Sequence, residues 1–309
     1  MFNLSRPFCD ELVGSALHRS AWQLGLSYKR LMKVLSSTYG LTPSVGITQD
    51  KALAKAFGMD LEELIQYHTL LPFTVTFLND IEKDQILRDF LKPYNKPMHA
   101  FSIVKKTIKT MTWLHFCPMC NIENLQRYGV AYWRRAHQLP GVLVCDIHGT
   151  LLYKSEVSIY EKGSLPPPDK ASGCLVSGFG LSAQILQSIA STSVSVLNNE
   201  LLIKKWPEHY SYFVITSAYC FKNPAMSRRV ISVDLQSFYG EDYLQTLGLF
   251  FPLNQLHKWP TKMLLSSKKS FSPLKHILMI VFLKTKMCQL RIDVEERSLT
   301  ARREISKIK

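Results

Sequence analysis

The sequence lacks any apolar run long enough to cross a membrane. Its longest strongly apolar run, residues 277–283, has seven residues, whereas a spanning helix needs about 20. Residues 1–7 contain no basic stretch followed by an apolar one, so no secretory signal is expected. The seven cysteines are unevenly spaced, which disfavours a disulfide framework and favours a reducing compartment. We therefore expect a cytoplasmic protein with no membrane partner.

The sequence also lacks the motifs of common enzyme classes. It contains no Gly-x4-Gly-Lys-Ser/Thr loop, which would bind the phosphates of a nucleotide. No Ser/His/Asp arrangement and no carboxylate cluster belongs to a recognisable motif. Any ATP hydrolysis therefore belongs to a partner, and no catalytic residues are predicted. Spacing alone leaves a transposase carboxylate triad open, since its members lie far apart in sequence, but no segment indicates one.

Acidic residues are few relative to basic ones. The 309 residues include 38 Lys and Arg against 24 Asp and Glu, a net charge of +14, and such a surplus favours a polyanionic partner, above all nucleic acid. Residues 255–309 hold 13 basic and 4 acidic side chains, with Lys268 and Lys269 among the basic ones. This segment is either a solvated basic end or a surface that contacts phosphates and releases their counterions.

Apolar residues recur at helical spacing through much of the chain, which predicts a mainly α fold. In the first hundred residues, two helices separated by a short glycine turn have the geometry of a helix-turn-helix. The same packing also serves purely structural roles. In the DNA-binding interpretation, Lys29, Arg30 and Lys33 contact DNA. The predicted helices span about 10–24, 27–38, 49–57, 80–91, 180–204, 241–250 and 273–290, with a further helix starting at Asp60.

Proline marks two breaks in the chain. Pro93 and Pro97 predict a domain boundary within 93–110, and three consecutive prolines favour an extended segment within 161–174, which is either a linker or a long loop. We therefore predict an N-terminal helix-turn-helix-like domain (1–110), a middle module (111–160) and a helical C-terminal region with a basic tail (161–309).

Cysteine and histidine are concentrated in residues 115–150. Cys117 and Cys120 form a C-x2-C pair, and Cys145 and His148 form a C-x2-H pair after 24 intervening residues. Two such turns can place three thiolates and one imidazole around one ion, a donor set that favours structural zinc. Residues 111–160 are therefore predicted to be a zinc-finger module with short β-knuckles. His115 and His137 are alternatives to His148, and the remaining alternative is a set of buried free cysteines.

Aromatic and basic residues alternate between the two cysteine pairs. Arg127, Arg134 and Arg135 are interleaved with Tyr128, Tyr132 and Trp133, a combination that suits phosphate contact or base stacking. It equally suits the core of a zinc module, with the aromatic rings inward and the arginines exposed. The sequence leaves both interpretations open.

Four stretches resemble the TniQ family, and within it the TnsD-like proteins. The most specific is the finger, where Cys117-Pro-x-Cys120, Arg127-Tyr-Gly-x-Ala-Tyr-Trp-Arg-Arg135, Leu139-Pro and Cys145-x2-His148-Gly agree in spacing and identity, although Asp146 stands where the family often has Pro. The others are Pro7-x2-Asp-Glu-Leu-x2-Ser-x3-Arg19, Tyr67-His-Thr-Leu-Leu-Pro72, and a weaker match over residues 233–276. The resemblance extends from residue 1 to about residue 285.

The resemblance implies a target-site selector for Tn7-like DNA transposition in the bacterial cytoplasm, which is not an enzyme. Such a protein binds double-stranded target DNA and recruits a TnsC-like AAA+ regulator, which brings in the transposase. The alternative is an adaptor that docks on a CRISPR effector complex and bridges it to the regulator without reading DNA sequence. Either protein could act as a homodimer. A zinc-dependent hydrolase, a third hypothesis, requires an open metal position.

Overall fold

The computed structural model describes ten stretches of the chain. They are residues 3–39, 51–91, 112–158, 165–200, 210, 214, 219–220, 222–252, 259–265 and 271–287. Lys268 and Lys269, the predicted boundary at 93–110 and the basic segment beyond 287 lie outside the described residues. No helix in the described stretches is long and apolar enough to cross a membrane. These stretches are mainly helical with one small sheet, which confirms the predicted fold class.

Four short helices form the N-terminal bundle. They are α1 (Val13–Gln23), α2 (Tyr28–Tyr39), α3 (Lys51–Ala56) and α4 (Leu61–His68). Gly25 and Gly58 both take φ near 65°, a left-handed conformation that ends a helix at little cost only for glycine. The apolar faces meet in one core made by Leu17, Leu31, Leu35, Leu53, Phe57 and Leu64. The helices predicted from periodicity are therefore present in this bundle.

Two further helices, α5 (Leu71–Val75) and α6 (Asp80–Leu91), follow the bundle. After residues 92–111 the chain enters a three-stranded antiparallel sheet, ordered β1 (Trp113–Phe116), β2 (Tyr153–Ser158) and β3 (Gly173–Leu175). Helix α7 (Pro118–Tyr128) and a 3-10 turn (Ala136–Gln138) lie between β1 and β2. The pairing of Phe116 with Tyr153 brings the two cysteine-containing segments together.

The predicted linker at 161–174 is partly wrong, because its end belongs to the sheet. Gly173 pairs with Ser155 on β2. A Cβ at position 173 would lie 2.8 Å from the Lys154 carbonyl oxygen, so glycine allows the two strands to approach. The three consecutive prolines indicated an extended backbone, but they did not show which strand this segment pairs with.

The C-terminal region is helical. It contains α8 (Ala183–Leu197), α9 (Pro224–Tyr239), α10 (Glu241–Thr246), α11 (Trp259–Leu265) and a last helix, α12, over residues 273–287. Helix α9 was not predicted, although Asn223 caps it by accepting a hydrogen bond from the Ala225 N–H at 2.9 Å and Pro224 stands at its first turn.

The largest hydrophobic core joins the cysteine-containing segment to the C-terminal helices. Tyr243 of α10 donates a hydrogen bond to the Gly141 carbonyl oxygen at 2.8 Å. Gly141 has φ near 78°, and a Cβ there would lie 2.7 Å from the Leu274 side chain. The finger is therefore packed against the helical region rather than standing alone. This core includes Cys117, Cys120, Leu139, Val142, Val144, Cys145, Leu152, Leu186, Ile189, Leu235, Leu244 and Ile277.

Candidate metal centre

The structure brings the four predicted ligands together. The Sγ atoms of Cys117, Cys120 and Cys145 and a ring nitrogen of His148 all lie within 4.8 Å of one another. His148 Nδ1 lies 3.6, 3.4 and 3.5 Å from the three sulfurs in that order, and Cys120 Sγ lies 3.6 Å from Cys145 Sγ. Bond lengths of about 2.3 Å for Zn–S and about 2.0 Å for Zn–N give tetrahedral edges of roughly 3.5–3.8 Å. The cluster therefore has the dimensions of a tetrahedral zinc site.

The two cysteine pairs are positioned differently. The second is a tight turn, as predicted: the Gly149 N–H donates to the Cys145 carbonyl oxygen at 2.9 Å, and the Cys145 N–H donates to the Thr150 carbonyl oxygen at 2.8 Å. The first pair is not a turn but the start of a helix, since Cys117 is the N-cap of α7 and Cys120 lies in its first turn. Strand β1 ends at Phe116, immediately before Cys117. Because Phe116 pairs with Tyr153 on β2, the sheet holds the first cysteine pair close to the second.

A carboxylate that sequence reasoning missed orients the histidine. His148 Nε2 lies 2.9 Å from Glu123 Oε1, which leaves Nδ1 directed at the sulfurs. Glu123 follows Cys120 by three residues on α7, so both side chains reach the cluster from the same helix. Carboxylates that bond the outer nitrogen of a ligating histidine fix its tautomer and orientation. The i, i+3 spacing from a cysteine ligand was the signal that could have found it.

The three thiols oppose one another's ionisation. Hydrogen bonding from Cys120 lowers the pKa of Cys117, whereas the hydrogen bond to Cys117 raises the pKa of Cys120 and raises that of Cys145 to about 11. Hydrogen bonds among the three thiols therefore favour ionisation of Cys117 over ionisation of Cys120 and Cys145. A divalent cation removes this conflict because it deprotonates coordinating thiols outright.

The alternative histidines occupy different places. His137 Nε2 lies 3.9 Å from Cys120 Sγ, and His137 forms a second possible group with Cys145 and Asp146. Burial lowers the pKa of His137 to about 3 and that of His115 to about 4, so both rings are neutral. His115 belongs to neither group found among the described residues, and only His148 completes the four-residue cluster.

Arg134 and Arg135 are not exposed, so the prediction that these arginines face solvent is wrong. Arg134 Nε lies 3.2 Å from Asp10 Oδ2, its Nη1 lies 3.2 Å from Asp146 Oδ1, and Nη1 donates to Cys120 Sγ at 3.5 Å. Burial lowers the pKa of Arg134, but the carboxylates of Asp10 and Asp146 raise it above its usual value, so the guanidinium is charged. Asp146 stands where the family often has proline, and here it is an ion-pair partner.

Arg135 links three parts of the fold. Its Nε lies 3.1 Å from Asp10 Oδ1, and its Nη1 donates to the carbonyl oxygens of Gln66 and Thr69 at 2.7 and 3.0 Å. The end of α4 and the start of the chain are thereby attached to the finger. The side chain of Arg135 is 3% exposed and that of Arg134 is 11% exposed, so the predicted phosphate contact by these two arginines does not fit the structure.

The aromatic residues between the cysteine pairs point inward. Trp133 is buried and its Nε1 donates to the Pro166 carbonyl oxygen at 2.8 Å, while the Tyr132 hydroxyl donates to the Cys9 carbonyl oxygen at 3.0 Å. The rings therefore pack inside the fold, which is the second of the two interpretations that the sequence left open.

Four of the predicted DNA contacts lie on the surface. Arg127 is exposed at the end of α7, with its guanidinium 5.3 Å from the centre of the Tyr128 ring. The other three, Lys29, Arg30 and Lys33, are exposed on α2. Their role in DNA binding stays a prediction.

Comparison with known proteins identifies the family. The TniQ family model matches residues 5–152, across the predicted boundary at 110, and the model for Tn7-like transposition protein D matches residues 189–303. The chain is 27% identical over 161 residues to transposon Tn7 transposition protein TnsD of Escherichia coli. That alignment covers 50% of this chain but 32% of the relative, so the chain spans about a third of the relative's length. The two matches together cover most of the sequence, and the chain belongs to the TniQ and TnsD-like proteins.

Proposed function

We propose that the chain is a non-enzymatic target-site selector for Tn7-like transposition. It binds double-stranded DNA at the chosen site in the bacterial cytoplasm and recruits the AAA+ regulator, which brings in the transposase. The observation that carries this proposal is the succession of a TniQ match and a Tn7-like transposition protein D match along one chain. The division into domains at 110 and 160 is part of the proposal.

The metal is proposed to be zinc in a structural role. Three sulfurs and one imidazole form a soft donor set that suits zinc, and the cysteines are buried in the largest core. Four protein donors fill a tetrahedron, so no position is left for a water molecule to act as nucleophile. This arrangement supports a selector over a zinc-dependent hydrolase.

The proposed DNA surface lies on α2. This helix buries Leu31 and Leu35 in the N-terminal core and exposes Lys29, Arg30 and Lys33. Lys51 and Lys55 are exposed on α3, which packs against α2. Basic side chains on one exposed helix, backed by an apolar core, form the electrostatic surface that a DNA-binding bundle needs.

The test is fluorescence anisotropy with the zinc-loaded chain and two DNA duplexes. One duplex carries the sequence flanking mapped insertions of the element, and the other is the same sequence scrambled. A selector prefers the first duplex, and its affinity falls steeply with salt. The Lys29→Ala, Arg30→Ala, Lys33→Ala triple variant should bind more weakly, with the salt slope reduced by about three if all three contact phosphates.

The matched control removes positive charge elsewhere. Lys222 and Arg229 are exposed in the C-terminal region, and the Lys222→Ala, Arg229→Ala variant should bind as the wild type does. Equal affinity of the wild type for both duplexes would reject sequence selection and leave the adaptor that docks on a CRISPR effector complex.

A further inference from the structure

When a divalent ion is bound, the ligand cluster carries an excess of negative charge. Three thiolates bring one more negative charge than such an ion neutralises, and a neutral imidazole adds none. Cys117, Cys120 and Cys145 are only 0%, 4% and 0% exposed, so water screens this excess poorly. A buried charge is costly unless a group of opposite charge pairs with it. The loaded centre therefore requires a cation beside its sulfurs.

Arg134 is the cation in that position. Its Nη1 donates a hydrogen bond to Cys120 Sγ at 3.5 Å, and its side chain is 11% exposed. Within the stretches that the structure describes, no other Lys or Arg side chain bonds a sulfur of the cluster. A hydrogen bond from a charged donor is about twice as strong as one between neutral groups, and the low dielectric of a buried site strengthens it further. The guanidinium is therefore placed to offset the excess charge.

The other two sulfurs have no such donor. Cys117 Sγ lies 3.5 Å from the hydroxyl oxygen of Thr150, which is neutral. Cys145 Sγ lies 3.9 Å from a carboxylate oxygen of Asp146, which carries the same sign of charge as a thiolate. Cys120 is therefore the ligand through which a positive charge reaches the cluster.

Two carboxylates hold the guanidinium in place. Asp146 Oδ1 and Oδ2 lie 3.2 and 3.4 Å from Nη1 and Nη2 of Arg134, and Asp10 Oδ2 lies 3.2 Å from its Nε. Because these contacts engage all three nitrogens, the guanidinium cannot turn away from the cluster without breaking them. Asp146 directly follows the ligand Cys145 in sequence, so without Arg134 its carboxylate would add to the negative charge at the centre.

We propose that Arg134 is a positioning residue of the metal centre, which donates to the Cys120 thiolate and offsets the excess negative charge of the loaded cluster. The inference rests on the zinc ion of the proposed function. It gives Arg134 a role beyond the ion pairs that join segments of the fold. A residue that only joins segments acts through its pattern of bonds, whereas a compensating residue acts through its charge. The two roles separate when the charge is kept and the bonds are changed.

The experiment measures the zinc affinity of the full chain by competition with a chromophoric chelator. Arg134→Gln removes the charge and should weaken zinc binding by about 10- to 100-fold, the range for outer partners of ligating residues. Arg134→Lys keeps the charge but lacks the planar fork of donors, and it should recover most of the lost affinity. Arg127→Gln is the matched control, since Arg127 is exposed at the end of α7, and it should bind zinc as the wild type does.

A second pair of variants covers the case in which Arg134→Gln does not fold. Arg134→Gln combined with Asp146→Asn leaves no unpaired carboxylate at position 146, and its zinc affinity is compared with that of Asp146→Asn alone. The double variant should bind zinc more weakly than the single one. Absorption spectra of the Co²⁺-substituted variants show whether the three thiolates still bind the metal.

The possible results have different consequences. If folded Arg134→Gln binds zinc as tightly as the wild type, the charge does not serve the metal and the inference is overturned, while the proposed function stands. If Arg134→Lys loses as much zinc affinity as Arg134→Gln, Arg134 acts only through its bonds and the inference is again overturned. A wild-type chain that binds no zinc would reject the metal of the proposed function and the inference with it.

Discussion

Arg134 Nε lies 3.2 Å from Asp10 Oδ2, an ion pair that joins the segment preceding the first helix to the metal centre. The same guanidinium also reaches Asp146 and Cys120. Both side chains of the pair are largely buried, at 11% and 13% exposed. One arginine thus connects the N-terminal bundle to a thiol of the ligand cluster.

Arg134→Met should destabilise the chain strongly, because it leaves the partly buried Asp146 carboxylate without its cation and leaves Asp10 with Arg135 alone. Removing one member of a buried pair costs about 3–5 kcal/mol, which urea denaturation followed by circular dichroism will measure. The control is Arg127→Met, at an exposed position, where a change within about 0.5 kcal/mol is expected. Similar free energies of unfolding for both variants would show that the network does not hold the two parts together.

Glu123→Gln should weaken metal binding by about 10- to 100-fold, because outer partners of ligating residues contribute to this extent. The amide no longer holds His148 as an anion does, so the ring loses its fixed orientation. Competition with a chromophoric chelator measures the affinity. Glu62→Gln, on the exposed side of α4, is the control and should leave it unchanged. If the Glu123→Gln variant bound the metal with unchanged affinity, Glu123 would not be needed to orient His148.

His276 should make the chain sensitive to acid. Burial lowers its pKa to about 3, and its ring stacks on Phe77 while Nδ1 lies 2.9 Å from the Tyr210 hydroxyl. Its unfolded pKa is about 6.5, so between these values the unfolded chain takes up a proton that the folded chain does not. Stability is therefore complete above pH 6.5 and falls toward pH 3, by about 1.4 kcal/mol per pH unit for this group.

The check is the free energy of unfolding from pH 7 to pH 4 for the wild type and for His276→Gln, which retains polar atoms at the site. Other buried histidines contribute to the wild-type slope, so the variant should be flatter rather than flat. The same slope in both proteins would show that His276 is not held neutral.

The Cys120→Ser variant should lose the metal, and this loss should destabilise parts of the fold beyond the finger. Cys120 lies in the same hydrophobic core as Leu186 and Ile189 of α8, so loss of the ion should also reduce protection of that helix. Hydrogen exchange read by mass spectrometry locates the effect. Cys174→Ser is the control, since Cys174 is an exposed cysteine on β3. Loss of protection limited to residues 113–152 would mean that the finger folds on its own.

The ligands could be predicted because their chemistry is local in sequence. Each pair spans four residues, and the geometry of a short segment decides where both side chains point. The N-terminal helices could be predicted equally well, since apolar residues such as Leu17, Leu31 and Leu35 recur at helical spacing and are buried.

The roles of the arginines could not be predicted because their partners are distant in sequence. Asp10 is more than 120 residues from Arg134 and Arg135, and only the folded chain brings them together. The exposure of three apolar side chains on α7 could not be predicted for a related reason. Met119, Ile122 and Leu125 have the spacing of a core-facing stripe, and periodicity does not distinguish a stripe that packs within the chain from one that faces solvent.

The most direct test of the account is elemental analysis of the purified wild-type chain, since the metal centre joins the N-terminal bundle to the helical region. The account predicts about one zinc ion per chain, retained through gel filtration and absent from Cys120→Ser. A folded wild-type chain with no bound metal would contradict it.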